Sequence, residues 1–353
     1  MKKSFTLIFS SILYLFVTNA WALDQKDGVY QIGSGEDLVA FSALVNGGEN
    51  TANAVLTADI DMTEQSSNFL PIGTAEAIYS GTFDGQGHKI SNLSFYMPQD
   101  CVGLFGMIQS PAIIKNFVLD ESCSIEAGGN YCAIIGQARG NRGPIYMENL
   151  GMEGSIHLTG WNGAGILGNN MGDVAIFHMK NCYVTGSVTA LGGYSGALSG
   201  WAAGGGTFEN CWVTGDIQGT DSESSYFIRG VWNASIINCY SKVGTQATTI
   251  TDEQVASGEL CYLLNGDQRE IVWYQTIGED AHPVFDESHQ IVIFEDGKYD
   301  NPDGIKEIKN GQWAIENDGA IYDLAGRRVS SQKVNGNLPK GIYIINGKKI
   351  MVN

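Results

Sequence analysis

Apolar and polar positions along this chain alternate in short runs, and the runs recur. Five segments share one phrase, an alternating stretch that ends in asparagine and resumes with Phe, Leu or Cys: IKNFVLD, MENLGME, MKNCYVTGSV, FENCWVTGDI and IINCYSKVG. Their asparagines, Asn116, Asn149, Asn181, Asn210 and Asn238, lie 33, 32, 29 and 28 residues apart. A second phrase returns every 30 to 32 residues: GLFG from Gly103, AIIG from Ala133, GILG from Gly165 and ALSG from Ala197. Two columns on one period predict a stacked solenoid of five to six coils, with strands pairing from coil to coil. Aligned asparagines then form an amide ladder, and ISNLSF (Ile90 to Phe95) reads as a first copy with Asn92 in the ladder. Cys182, Cys211 and Cys239 each follow a repeat asparagine, which predicts a column of unpaired core thiols, since a free cysteine packs as a small hydrophobe.

The ends of the pattern differ from its middle. Asp37, Leu38, Phe41, Leu44 and Val45 recur at helical spacing, which predicts a short helix covering the first coil. Thr251 with Gln254 resembles a capping box. The segment that follows puts Val255, Leu260, Leu263 and Leu264 on one side, and is expected to close the C-terminal end of the core. The division expected is a signal peptide over 1–22, cap and first coils over 23–95, repeats over 96–250, capping helix and extended segment over 251–294, linker over 295–309 and a tail domain over 310–353. The signal rests on Lys2 and Lys3, the apolar run from Phe5 to Val17, and Ala20-Trp21-Ala22 before the expected cut. No later stretch approaches the roughly 20 apolar residues a membrane span needs.

Composition agrees with strands and turns. Forty-six glycines and seven prolines stand among many Val, Ile, Tyr and Trp residues, a mixture that favours short strands joined by tight turns. The formal net charge is −18, and it becomes about −20 once Lys2 and Lys3 are removed. So acidic a body would repel phosphate backbones, which excludes DNA and RNA as expected partners. The charge reverses in the tail, where Arg327, Arg328, Lys333, Lys340, Lys348 and Lys349 face only Asp323 within residues 321–353.

Chemistry-bearing motifs are sparse. Seven cysteines contain no CxxC pair, the five histidines form no HExxH, and no serine sits in a GxSxG elbow. No metal or cofactor is therefore expected. In GTFDGQGHKI, Asp84, Gly85 and Gly87 read as a tight turn between strands, with glycine supplying positive φ angles. A glycosidase needs two carboxylates about 5 to 10 Å apart. In a solenoid these would be acids of adjacent coils at one register, for which Asp120, Glu153 and Asp216 are the candidates; solvated strand ends are the simpler account. Arg139 and Arg142 read as loop surface. Binding has more material, because Trp161 and Trp201 flank the G-L-x-G strands, with Tyr194, Tyr226 and Trp232 in or beside neighbouring turns. Exposed aromatic faces on a rigid scaffold suit the apolar faces of sugars.

The stretches GAGILGNNMGDVAIFHMKNCYVTGSVT and SGALSGWAAGGGTFENCWVTGDI resemble the GLUG repeat of bacterial surface β-helices. YQIGSGEDLVAFSALVNGG with YSGTFDGQGHKISNLSF resembles the non-catalytic β-helical region upstream of the protease in IgA-cleaving streptococcal metallopeptidases. Phe117 and Leu150 depart from the repeat's cysteine, so coil shape is expected to vary there. The tail, with IYDLAGRRV, LPKGIYII and KKIMVN, resembles the C-terminal sorting domain of type IX secretion in the Bacteroidetes. Together these resemblances imply an all-β protein, a right-handed parallel β-helix with a cap helix and a small β-sandwich-like tail domain. They also imply a secreted or outer-membrane-surface location and engagement of the secretion machinery through the tail. The expected role is binding or adhesion to a glycan or surface protein. A β-helical glycoside hydrolase or lyase and a structural biofilm component are the alternatives.

Overall fold

A computed structural model describes residues 23–301 except 140–142, 172–175, 203–204, 220–225, 231–233, 267 and 296. Beyond 301 it describes the strands at 306–308, 321–323, 328–329, 341–345 and 348–352. The expected signal peptide, Arg142 and Trp232 lie outside the described residues.

The asparagines decide the cross-section of each coil. Asn116, Asn149, Asn181, Asn210 and Asn238 all have φ between 49 and 61°, the left-handed region that Asn tolerates better than other side chains. Each therefore bends the chain inside its phrase. Ile113–Leu119 and Pro144–Met152 run through the bend as single strands, whereas the later coils break there, as in Ile176–Lys180 and Tyr183–Val184. The residue after the bend points into the core: Phe117, Leu150, Cys182, Cys211 and Cys239 are all buried and occupy one column. The cysteines repeat along it, with Cys182 N donating to Cys211 Sγ at 3.5 Å and Cys211 N to Cys239 Sγ at 3.4 Å. All seven cysteines are buried and unpaired.

Two further parallel sheets complete the coil. The G-L-x-G strands, Phe105–Gln109, Ile135–Arg139 and Leu167–Asn170, stack with Phe105, Ile135 and Leu167 in register, and single bridges carry the column to Ser199 and Ile228. The third sheet stacks Ser94–Met97, Ser124–Ala127, Ser155–Leu158, Ser187–Ala190 and Asp216–Gln218. The solenoid has about six turns. The chain is a parallel β-helix. Its register is fixed on the outside too, where Asp84, Lys115, Glu148, Lys180 and Glu209 stand in one row of alternating sign. Ion pairs of 3.2 Å (Lys115 to Asp84) and 2.8 Å (Lys180 to Glu209) close within that row. A slip of one coil would set like charges side by side.

The amide ladder has a different foot from the one expected. Asn181 Nδ2 donates to Asn149 Oδ1 at 3.0 Å, Asn149 Nδ2 to Asn116 Oδ1 at 2.6 Å, and Asn116 Nδ2 to Asp84 Oδ1 at 2.9 Å. Asn92 stands at another corner, because Ile90 pairs with Leu119, beyond the asparagine. There Asn92 Nδ2 donates to Asp61 Oδ1. GTFDGQGHKI is thus the rung below Asn116. In its turn the positive φ angles fall on Gln86 and Gly87; Gly85 is needed for space, since a Cβ would come within 2.4 Å of Asn116 O. Above Asn181 the ladder breaks and resumes with Asn238 Nδ2 on Asn210 Oδ1 at 2.7 Å, and the buried Asn181 Oδ1 has no partner.

At the N-terminal end, helix α1 (Gly35–Asn46) is capped by Ser34, whose side chain accepts from Asp37 N, and it buries Leu38, Phe41 and Val45. Helices α2 (Asp252–Ala256) and α3 (Glu259–Asn265) form as the capping box requires, with both Thr251–Gln254 bonds present. Their placement differs from a plug in the open end. They join a second apolar cluster on the solenoid's outer flank, with Tyr183, Trp212, Tyr240, Trp273 and Val292. Residues 251–301 form a strap over that flank. The expected linker begins inside it, since Lys298–Asp300 pairs with Ile293–Glu295 and Asn301 Nδ2 donates to Gln275 O and Ile291 O. The described tail strands form one five-stranded sheet. Among the described residues no helix is long and apolar enough to cross a membrane.

Candidate functional site

The corner before each G-L-x-G strand carries the site. Cys101, Tyr131, Asn162 and Tyr194 occupy it in successive coils with φ of 61, 64, 63 and 67°, and the bridges Val102 to Cys132 to Gly163 set their stacking. This left-handed corner packs on the last glycine of the following coils' G-L-x-G phrases. A Cβ at Gly136 would lie 2.6 Å from Cys101 C, and one at Gly200 would lie 2.7 Å from Asn162 C. The glycine column Gly106, Gly136, Gly168, Gly200 ends at Arg229, because Ser199 bridges Ile228. Arginine thus replaces glycine in the last described copy.

Arg229 lies back across the corner. Its Cζ is 4.0 Å from the Tyr194 ring centroid and 4.6 Å from that of Trp201, and Nη1 donates to Asn162 Oδ1 at 3.0 Å. Trp161, 47% exposed, and Tyr194, 42% exposed, have centroids 6.4 Å apart. With Tyr131, Asn162, Asn169, Met171 and Trp201 they line an open cavity of about 320 Å³. Coils about 4.8 Å apart make this a cradle a few rungs long, with aromatic faces and, among the described residues, Arg229 as its cation.

The structure therefore brings Trp161, Tyr194 and Trp201 together and separates Tyr226 from them. Tyr226 is buried, donates its hydroxyl to Gly215 O, and has its phenol pushed up to about 12 by that burial. Tyr131, Asn162 and Arg229 were not singled out in the sequence. The available signal was YFIR at 226–229, a further copy of the G-L-x-G phrase with both glycines changed.

The carboxylate candidates do not form one register. Asp120 and Glu153 do stand in adjacent coils, with Glu153 N bonded to Leu119 O at 2.9 Å. Asp120 Oδ1 is turned into its own loop by Ser122 N and Oγ. Asp216 opens a third-sheet strand, in the column of Ser124, Ser155 and Ser187. Glu153 Oε1 instead takes a 2.5 Å bond from Tyr183 Oη and lies 3.9 Å from His282 Nε2 of the strap. These three residues line an 880 Å³ groove between flank and strap. Burial beside Glu153 raises the Tyr183 phenol well above its ordinary value. Among the described residues no group of three or more His, Cys, Asp or Glu could hold a metal ion.

No family model matches the chain. A stretch of 147 residues, 38% of this chain, is 31% identical to halomucin of Haloquadratum walsbyi (strain DSM 16790 / HBSQ001) and spans 2% of that protein. Among solved structures the chain is similar to a "putative immunoglobulin A1 protease" from Bacteroides ovatus, with a TM-score of 0.49 and 18% identity over 72% of this chain and 91% of the other.

Proposed function

We propose that this β-helix is a secreted or surface-displayed binding module that holds a glycan in the Trp161–Tyr194–Trp201 cradle. The observation that carries the proposal is the backbone of Tyr131 and Tyr194. A left-handed conformation costs a non-glycine residue on the order of 1 kcal/mol or more, and asparagine, which suits it, occupies the same column at Asn162. Tyrosine is a poor choice for this corner unless its ring is wanted at the surface. The rings stand beside two tryptophans on a scaffold whose spacing is set by strand pairing, so little order remains to be imposed on binding. The export-type N-terminus, the GLUG-like repeats and the type IX-like tail support the location.

Immobilising the chain from residue 23 and passing glycans and matrix proteins over it tests the proposal. Retention of unaltered glycan, reduced at least tenfold by Trp161→Ala, is the expected result; retention that is indifferent to Trp161 would refute it. The groove holding Glu153, Tyr183 and His282 favours one second reading, a polysaccharide-cleaving site. Its mark would be shortened glycans in the effluent that disappear with Glu153→Gln.

A further inference from the structure

We infer that Asn169, on the floor of the cradle, reads a pair of adjacent hydroxyls on the bound sugar. This inference rests on the glycan reading above and adds the chemical feature that is recognised. Asn169 lines the cavity with Trp161 and Tyr194, yet it is only 3% exposed where those rings stand largely open. The rings are thus the walls, and the amide lies at the bottom. Among the described residues nothing hydrogen-bonds the Asn169 side chain, and neither of its polar atoms is sealed off by protein. A buried carboxamide without partners costs free energy.

The stack does not call for an amide at this position. Met107 and Gln137 precede Asn169 in register. Methionine needs no partner, and Gln137 Oε1 accepts from Arg139 Nε at 2.7 Å. Of these three, Asn169 is the one that lines the cavity and the polar one that the protein leaves unanswered. Asn162, also in the cavity, already uses its Oδ1 on Arg229 Nη1.

The chemistry of a primary amide selects the ligand. It presents an acceptor oxygen and an NH2 donor side by side. Two vicinal hydroxyls of a pyranose match that edge, one donating to Oδ1 while its neighbour accepts from Nδ2. An acetamido group fits less well, because its trans amide sets N–H and C=O on opposite sides and can make one of the two bonds. A carboxylate would accept from Nδ2 but set its second oxygen against Oδ1. A pyranose whose apolar face lies on Trp161 or Tyr194 carries its equatorial hydroxyls around the ring's edge, where they can face the floor. Asn169 belongs to the strand Leu167–Asn170, which pairs with Ile135–Arg139, so its backbone is in place before the sugar arrives.

The test uses the chain from residue 23 and the methyl glycosides of glucose, mannose and galactose, then the 2-, 3- and 4-deoxy analogues of whichever binds tightest. Affinities are read by saturation-transfer NMR titration. Loss of either hydroxyl of one adjacent pair should weaken binding about tenfold, because the amide is then left unpaired, and loss of the third should change it little. Asn169→Met installs the residue type that the column already carries at Met107, and it should bind parent and deoxy sugars alike. Where Asn169→Met obstructs the cavity, Asn169→Ala leaves it open and should show the same levelling. A tightest glycoside indifferent to loss of every hydroxyl, a deoxy penalty that persists in either variant, or no methyl glycoside bound would each overturn the inference and leave the glycan reading, which Trp161→Ala tests by itself. No glycan retained at all would overturn both.

Discussion

Replacing Asn149 separates two reasons for an asparagine at the bend. Its side chain donates to Asn116 Oδ1 at 2.6 Å and accepts from Asn181 Nδ2 at 3.0 Å, and its φ is 53°. Asn149→Ala removes both amide bonds, each contributing about 1 kcal/mol net, and places an alanine in the left-handed region at a further cost of about 1 to 2 kcal/mol. The expected loss is thus about 3 to 4 kcal/mol. Asn149→Gly removes the same amide bonds but is at ease with the backbone, so it should lose about 2 kcal/mol. The two variants differ only in the backbone cost. Urea unfolding followed by circular dichroism reads both, provided that the slopes match and the comparison rests on midpoints. Equal midpoints for the alanine and glycine variants would show that the bend does not select for asparagine's conformation. A glycine variant as stable as the parent would show that the ladder contributes nothing.

Trp212 is fully buried and stacks on Tyr183 with centroids 5.0 Å apart and planes within 3°; Trp212→Ala should cost about 3 to 5 kcal/mol. It should also expose residues 251–301 to limited proteolysis, and an uncut strap would contradict the packing described. Gly151→Ala puts a Cβ 2.5 Å from the Tyr183 ring and should cost about 1 to 3 kcal/mol by overpacking, measured in the same urea series. Burial pushes the Cys101, Cys123 and Cys261 thiols up to about 12 and also raises those of Cys132, Cys211 and Cys239. Because all seven cysteines are buried as well, iodoacetamide at pH 8 should label none of them in the native chain by mass spectrometry and all seven after denaturation. Backbone donors Lys89 N and Ser288 N hold the Asp59 and Asp286 carboxyls below their ordinary 3.8. Their contribution to stability is complete above that value and is lost as pH falls below it. The melting temperature should drop in this range, and Asp59→Asn with Asp286→Asn should flatten the drop; an unchanged acid limb would refute the assignment.

What was legible in the chain follows from periodicity. The asparagine and G-L-x-G phrases repeat because each rung meets a copy of itself, so their spacing specified the stack and the buried cysteine column. The foot of the ladder was hidden because an aspartate does its work there. Asp84 offers an oxygen to Asn116 and needs no amide of its own, so the rung does not spell the phrase. The strap was hidden for another reason, since residues 251–301 have no period at all. The signal for it lay in the repeats: Tyr183, Trp212 and Tyr240 each follow a buried cysteine. Alternation turns them outward, and an outward column of large aromatics requires a cover.

The same logic locates the cradle. Every residue that fits the repeat is explained by the rung above or below it, whether as a core filler, a glycine that makes room for a corner, or an amide that bonds its copy. Residues that break the repeat need a separate account. Tyr131 and Tyr194 stand where asparagine or glycine would relieve the backbone, and Arg229 stands at the end of a column of glycines. All three converge on one cavity with Trp161 and Trp201. Departures scattered by drift would fall at random around the coil. Departures that meet across coils, with sequence separations of about one and two periods, are the ground on which the cradle is proposed as a binding surface.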